Sequence, residues 1–257
     1  MLLLAGLSIP IFVALILSPP MAQDPAYHDF ADQRTLLGIP HMWNVMSNLP
    51  FAVLGLVGCW LLMRPGAVDA AFEASAFEAS WESRAYWVFF VGEILTCFGS
   101  GYYHAGPNNH TLFWDRLVFS LLLTATSTIV ITEYVSRRAG KLMLVPIVLL
   151  GLGSVLQWHA SELAGHGDLR LYLAVQFYPL LVMPLILWLF PSRYGDTGWF
   201  ALLWICYAAA KAAEYFDAGL YELTGFWSGH TLKHFIAALA TLLLVLVLRR
   251  RIRSRKA

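Results

Sequence analysis

The chain has 257 residues, of which 59% are hydrophobic and 13% are charged, and its formal net charge is +1. An ordinary soluble domain is about 45–50% apolar and about 25% charged. The composition therefore excludes an ordinary soluble domain and indicates a polytopic membrane protein. The three cysteines, which have no paired spacing, are interpreted as small core residues rather than a disulfide framework or a metal site.

Residues 1–22 form the first apolar stretch. No Lys or Arg precedes the apolar run, and only Ala22 resembles the small residue of a cleavage site. A secretory signal peptide carries a basic segment and small residues ahead of its cleavage site. The stretch is therefore expected to be a retained hydrophobic helix, with a signal segment as the alternative.

Seven further apolar stretches follow, each close to the roughly 20 residues that cross a bilayer as a helix. A segment in lipid must satisfy its backbone hydrogen bonds internally, so each stretch is expected to be helical. The predicted fold is an all-α polytopic membrane bundle, with a seven-helix domain at 23–248 and an extra N-terminal helix. The predicted core helices are 41–63, 85–104, 114–134, 141–158, 170–190, 197–215 and 230–248.

Residues 71–80 read AFEASAFEAS, a tandem duplication of five residues after the first core helix. The segment is interpreted as an amphipathic surface helix or as a local expansion without function, and the second interpretation is preferred.

The distribution of basic residues predicts the orientation. Six of the 17 Lys and Arg lie in RRRIRSRK at 249–256, and the loops 136–141 and 191–196, on the same side, are also basic. Basic residues concentrate on the cytoplasmic side of membrane proteins. The tail, 249–257, is therefore predicted to be cytoplasmic and to anchor the last helix rather than to bind nucleic acid.

The last core helix begins with GHTLKHF (229–235), which places His230 and His234 one turn apart. Such a pair can chelate a metal ion, but the Glu of the HExxH zinc-protease motif is absent here. In a soluble helix the pair would more often be surface or core histidines. In a membrane segment, however, imidazoles need a partner or a function.

Candidate partners lie in GSGYYHAGPNNHTLFWDRL (99–117). Ser100 and His104 are four residues apart and share one helical face. A turn at GPNN then leads to Asp115, just inside the next helix. The predicted topology brings these residues to the same non-cytoplasmic end as His230. Three His ligands with an open fourth position are typical of catalytic zinc.

Two further polar groups receive structural interpretations. A polar stripe on the first core helix, made of Trp43, Asn44, Ser47 and Asn48, is expected to form interhelical hydrogen bonds. Lys211 and Glu214, three residues apart, are expected to pair with each other or with Glu93.

The chain resembles the alkaline ceramidases, in particular the bacterial branch called alkaline phytoceramidases. These belong to a superfamily of seven-helix membrane hydrolases that includes the progestin and adipoQ receptors. The resemblance rests on four pieces in the same order, which span nearly the whole chain: YHDFADQRTLLGIPHMWNVMSNLPF (27–51), GSGYYH (99–104), FWDRL (113–117) and GHTLKHF (229–235).

The resemblance implies a seven-helix core in a bacterial plasma membrane, with zinc held by His104, His230 and His234 and the site completed by Ser100 and Asp115. It implies hydrolysis of the amide bond of ceramide-like lipids to a sphingoid base and a fatty acid. Zinc would activate water and polarise the amide carbonyl.

In the implied mechanism Asp115 is the candidate general base. Ser100 would donate a hydrogen bond to the oxyanion, a contribution of about 2.7–4 kcal/mol. As an alternative, Asp115 only orients a ligand from the outer shell.

In eukaryotic members of the family an acidic N-terminal segment binds calcium. The corresponding stretch here is about 29–41, in which Asp29 and Asp32 fit as oxygen ligands. Arg34 and His41 stand where Asn and Glu are expected, which argues against calcium.

Two other functions are compatible with these residues. One is a lipid-sensing receptor of the progestin and adipoQ type with the zinc residues retained, although the piece WNVMSNLPF (43–51) favours the hydrolase. The other is a transporter or proton relay that uses Glu93, Lys211 and Glu214, but no inverted repeat supports it.

Overall fold

The computed structural model describes residues 2–64 and 76–254, and these residues form an all-α bundle. Short 3₁₀ turns lie at Pro25–His28 and Ser80–Glu82. The α-helices are α1 (Leu2–Leu17), α2 (Met42–Met46), α3 (Leu49–Met63), α4 (Ser83–Ala105), α5 (Asn109–Val130), α6 (Arg137–Leu163), α7 (Arg170–Leu189), α8 (Thr197–Tyr215), α9 (Asp217–Thr224) and α10 (Gly229–Ser254).

All seven predicted core segments are helical, and five of them are long and apolar enough to cross a membrane. The protein is therefore a multi-pass integral membrane protein. The predicted spans α4 and α8 lie outside this set, and both carry ionisable side chains: Glu93 on α4, and Lys211 and Glu214 on α8. The five candidate spans are Met42–Met63, Asn109–Val135, Arg137–Leu163, Arg170–Leu189 and Gly229–Arg253.

The N-terminal stretch is helical as predicted. On the face of α1 that meets α7, the Ser8 and Tyr178 hydroxyls lie 2.5 Å apart, and the ring of Phe12 contacts that of Tyr178. These contacts join α1 to the bundle. Whether α1 is retained or cleaved stays a prediction.

Helix α5 begins earlier than predicted because Asn108 caps it. The Asn108 side chain accepts hydrogen bonds from the backbone N–H groups of His110 and Thr111, and the Thr111 hydroxyl accepts one from the Asn108 N–H. Such a capping box satisfies N–H groups that have no partner within the helix. Asp115 consequently lies in the second turn of α5 rather than at its start.

Helix α10 is longer than the predicted 230–248. It continues through Arg251, whose buried guanidinium binds both oxygens of Glu133 and also bonds Asp196 at 2.6 Å. Glu133 lies in a π-helical turn, Ile131–Val135, that follows α5. At least one arginine of the predicted tail is thus a core residue, because its carboxylate partners lie inside the bundle.

The helices pack so that the termini of α4 and α10 meet. Helix α4 packs between α3 and α5, while α10 packs against α8 and α3. A large apolar core lies between α4, α5, α8 and α10 in one half of the bundle. The C-terminus of α4 and the N-terminus of α10 therefore lie together at the end opposite Arg251.

The duplicated segment is described only in part, since residues 71–75 lie outside the described residues. In the second copy, Phe77 is fully buried and its ring lies 5.1 Å from that of Tyr86, measured between centroids. The second copy is not a surface helix, because it anchors the start of the next helix in the core.

Candidate metal centre

Three imidazoles converge where α4 and α10 meet. His104 ends α4, and His230 and His234 lie on the first two turns of α10, as the sequence predicted. All three side chains are buried, and one ring nitrogen from each lies within 4.8 Å of the others. Among the described residues, they form the one group of three or more His, Cys, Asp or Glu side chains close enough to hold a metal ion together.

The spacing of two of the three nitrogens fits a tetrahedral metal ion. The Nε2 atoms of His104 and His230 lie 3.3 Å apart. Two nitrogens bound to tetrahedral zinc at about 2.0–2.1 Å would be roughly 3.3 Å apart. A hydrogen bond between the two imidazoles has the same length. Its acceptor would be an unprotonated Nε2, the form of the nitrogen that also binds a metal.

The polar stripe of the first core helix holds His234 in position. The Ser47 hydroxyl donates to the Asn44 carbonyl at 3.1 Å and lies 2.7 Å from Nδ1 of His234. The Ser47 oxygen therefore accepts the Nδ1 proton, which leaves Nε2 of His234 free to bind a metal. The Asn44 side chain accepts from Thr231 at 2.7 Å. These bonds join α2 to α10 and confirm the predicted interhelical role for Asn44 and Ser47. The Asn48 side chain donates instead to the nearby carbonyls of Asn44 and Val45, and the Trp43 indole N–H has no hydrogen-bond partner among the described residues.

The segment between α1 and α2 covers the imidazoles. The ring of Phe30 lies 4.4 Å from that of His230 and 4.9 Å from that of His104, measured between centroids. Asp217 fastens this cover to α10: its carboxylate accepts from the backbone N–H of Ala31 at 2.9 Å and of His230 at 2.7 Å. The first turn of α10 and the cover are thereby held by one side chain.

Ser100 and Asp115 lie together, as predicted. Ser100 is buried one turn before His104 on α4, and Asp115 lies on α5, the helix that packs most extensively against α4. Both residues line a cavity that His234 also lines. A carboxylate and a hydroxyl thus reach the same enclosed space as one of the three imidazoles.

The cavity extends from this polar end into the bundle and holds about 990 Å³ of space not occupied by protein atoms, part of it open to the outside. Its deeper walls are mostly apolar, with Phe119 and Leu122 on α5, Leu203 and Trp204 on α8, and Ala237 on α10. A polar end beside a long apolar space suits an amphiphilic ligand.

One acidic side chain, that of Glu93, lies in the deeper part of the cavity. One carboxyl oxygen of Glu93 accepts a hydrogen bond from Thr241 at 2.6 Å, and the other has no hydrogen-bond partner among the described residues. Glu93 does not join Lys211 and Glu214, which pair with each other at 2.5 Å.

The residues proposed for calcium do not fit such a site. Both oxygens of Asp32 are bound by the guanidinium of Arg34, at 2.8 and 2.7 Å, and Asp29 is exposed. Calcium takes 6–8 oxygen ligands. Burial alone would raise the pKa of the Asp32 carboxyl, but hydrogen bonds from the Arg34 side chain and backbone hold this pKa below its usual value. The Arg34 guanidinium therefore occupies the carboxylate oxygens that a calcium ion would need.

No protein-family model and no curated protein sequence matches this chain.

Sequence reasoning missed three contributors to the site. Phe30 gave no signal, because a lone aromatic residue in a connecting segment has no pattern. Asp217 gave no signal either, because it begins α9 and lies 13 residues before His230, whose backbone N–H it bonds. Lys233 gave no signal because it stands at a variable position of the HExxH pattern, in which Thr231 takes the place of Glu, yet it lines the cavity and binds Glu214 at 2.5 Å.

Proposed function

We propose that this protein is a zinc-dependent membrane amidohydrolase that cleaves the amide bond of ceramide-like N-acyl lipids. The observation that carries the proposal is the buried cluster of His104, His230 and His234 beside a cavity that Ser100 and Asp115 line. Three neutral imidazoles leave a fourth position for water or substrate, as in catalytic zinc sites. The resemblance to the alkaline ceramidases supports the same chemistry.

When bound, zinc supplies a Lewis acid that polarises the amide carbonyl and makes water a nucleophile at neutral pH. The remaining chemistry falls to side chains. Asp115 accepts the proton of the attacking water and passes it to the leaving amine. Ser100, which lines the same cavity as Asp115, donates to the carbonyl oxygen as negative charge develops there. The apolar walls hold the lipid chains and exclude water from the polar end.

The test combines metal content with turnover. The wild-type protein, purified in detergent without added metal, should contain about one zinc per chain and release fatty acid from N-acyl lipids. His104→Ala should lose both metal and turnover, because it removes a ligand. Asp115→Asn should keep the metal and lose about 10²–10⁴-fold in rate, the usual contribution of a general base.

The matched control is Glu222→Gln, which neutralises an exposed carboxylate at the same end of the bundle and should change neither quantity. Near-normal turnover of Asp115→Asn with zinc bound would remove Asp115 from the mechanism. Loss of zinc together with activity in Asp115→Asn would assign it to the support of the metal. A zinc-loaded wild type that hydrolyses no N-acyl lipid would favour the lipid-sensing receptor.

A further inference from the structure

Three charged side chains lie together on the wall of the cavity. Glu214 on α8 accepts hydrogen bonds from the ammonium groups of Lys211 at 2.5 Å and Lys233 at 2.5 Å, and the Tyr27 hydroxyl lies 3.3 Å from it. The three charged side chains are between 15% and 22% exposed. They line the cavity together with Asp115 and the other polar residues of the candidate site.

The group has more hydrogen-bond donors than acceptors. Each lysine ammonium has three N–H donors, and in the described parts of the chain each makes one side-chain hydrogen bond, to Glu214. Lys211 also lies 5.7 Å from the ring centroid of Phe177. Among the ion pairs of the described residues, Asp115 pairs with neither lysine. Asp115 nevertheless lies near enough to interact electrostatically with both lysines, so two carboxylates balance the two ammonium charges. What is left over on each lysine is N–H donors without a described acceptor.

Two lysines inside a membrane bundle are costly. Ionisable side chains in membrane segments face a cavity or a partner and mark the path of a substrate or ion. The other polar residues that line the cavity, such as Tyr172 and Gln176, make no described hydrogen bond to either ammonium group. Lys233 is adjacent in sequence to His234, so its backbone is fixed beside the candidate metal centre. A ligand in the cavity can supply the acceptors next to the reacting group.

We propose that Lys211 and Lys233 bind a carboxylate on the head of a substrate, so that the protein acts on N-acyl amino acid lipids in addition to ceramide-like lipids. This inference rests on the proposed amidohydrolase function. A carboxylate offers two oxygens that can accept from two ammonium groups. The carboxylate of an N-acyl amino acid lies one carbon from the amide nitrogen, so both would lie at the polar end of the cavity.

The variants must remove the lysines without leaving Glu214 buried and unpaired, since an uncompensated buried charge is strongly destabilising. The triple variant Lys211→Met, Glu214→Gln, Lys233→Met removes all three charges and keeps similar volumes. The double variant Lys211→Met, Glu214→Gln removes one charge of each sign and retains Lys233. Lys141→Met, at an exposed lysine far from the cavity, is the matched control.

The experiment compares two ligands with the same acyl chain, N-palmitoylglycine and N-palmitoylethanolamine, which differ by a carboxylate and a hydroxymethyl group. Equilibrium binding is measured in detergent on a His104→Ala background, so that turnover is not needed. The unmodified cavity and the Lys141→Met control should bind the glycine lipid about 10- to 100-fold more tightly, as expected for charge-assisted hydrogen bonds. The triple variant should lose this preference, and the double variant should retain part of it.

Equal binding of the two lipids, or a preference that survives in the triple variant, would overturn the inference. If the triple variant does not fold, the double variant decides, because an unchanged preference there would also contradict a shared site. Hydrolysis of both lipids by the wild type, measured separately, tests the amidohydrolase function. A binding preference without hydrolysis would support the carboxylate site and refute the enzyme.

Discussion

Replacing Ser47 by Ala tests whether the polar stripe tunes the metal centre. The Ser47 oxygen, 2.7 Å from Nδ1 of His234, holds the ring in the tautomer whose Nε2 can bind a metal. Removing such a partner of a metal-binding His typically weakens metal affinity about 10- to 100-fold, which corresponds to about 1.4–2.7 kcal/mol. The loss of one hydrogen bond should lower the free energy of unfolding by about 1 kcal/mol, so the variant should still fold.

The assay is an equilibrium competition for zinc between the detergent-purified protein and a chelator of known affinity. Ser120→Ala is the matched control, because the Ser120 side chain is equally buried but donates only to the Leu117 carbonyl of its own helix, at 2.8 Å. The reasoning is refuted if Ser47→Ala binds zinc as tightly as the wild type. It also fails if Ser120→Ala weakens zinc binding as much, since the effect would then be general loosening of the bundle.

Three further predictions concern the two ends of the bundle. Single cysteines at His110 and Arg253, both exposed, should be labelled from opposite sides of the membrane, and labelling from one side would overturn the topology. Because folding lowers the pKa of Asp32, its ion pair should stabilise the cover over the imidazoles above pH 3.8 and lose this effect as the pH falls below it. Thermal unfolding against pH should therefore show an acid decline that is smaller in Asp32→Asn, the other paired carboxylates accounting for the rest. Glu133→Gln should lower the free energy of unfolding by about 3–5 kcal/mol, because Arg251 stays buried with less compensation; a change under 1 kcal/mol would contradict this.

The helices were predictable because a bilayer dictates both their length and their apolar composition. The ends were less predictable, since they are set by individual contacts. At Asn108, a capping box starts α5 five residues early. At Arg251, an ion pair with Glu133 extends α10 past the apolar segment. A basic residue in a terminal run looks exposed in sequence, and its carboxylate partner lies 118 residues away along the chain.

The histidine cluster was predictable because intramembrane imidazoles are rare and their spacing follows the helical repeat. Its surroundings were not, because they come from residues far apart in sequence. Ser47 lies 187 residues before His234, and its contact depends on how α2 packs against α10. The ion pair of Lys211 with Glu214 was predictable from their spacing. The addition of Lys233 required knowing which face of α10 meets α8.

The covered and open sides of the histidine cluster set the direction from which a ligand reaches it. Phe30 packs on the rings of His104 and His230, and is itself 4% exposed. Of the three imidazoles, His234 alone lines the cavity within the described part of the chain. A ligand in the cavity would therefore meet the cluster at His234, on the side where Ser100 and Asp115 lie. For the proposed lipid substrate, the chains would extend between α5, α8 and α10, so that the reacting bond would be held at the polar end while the chains stay in an apolar environment.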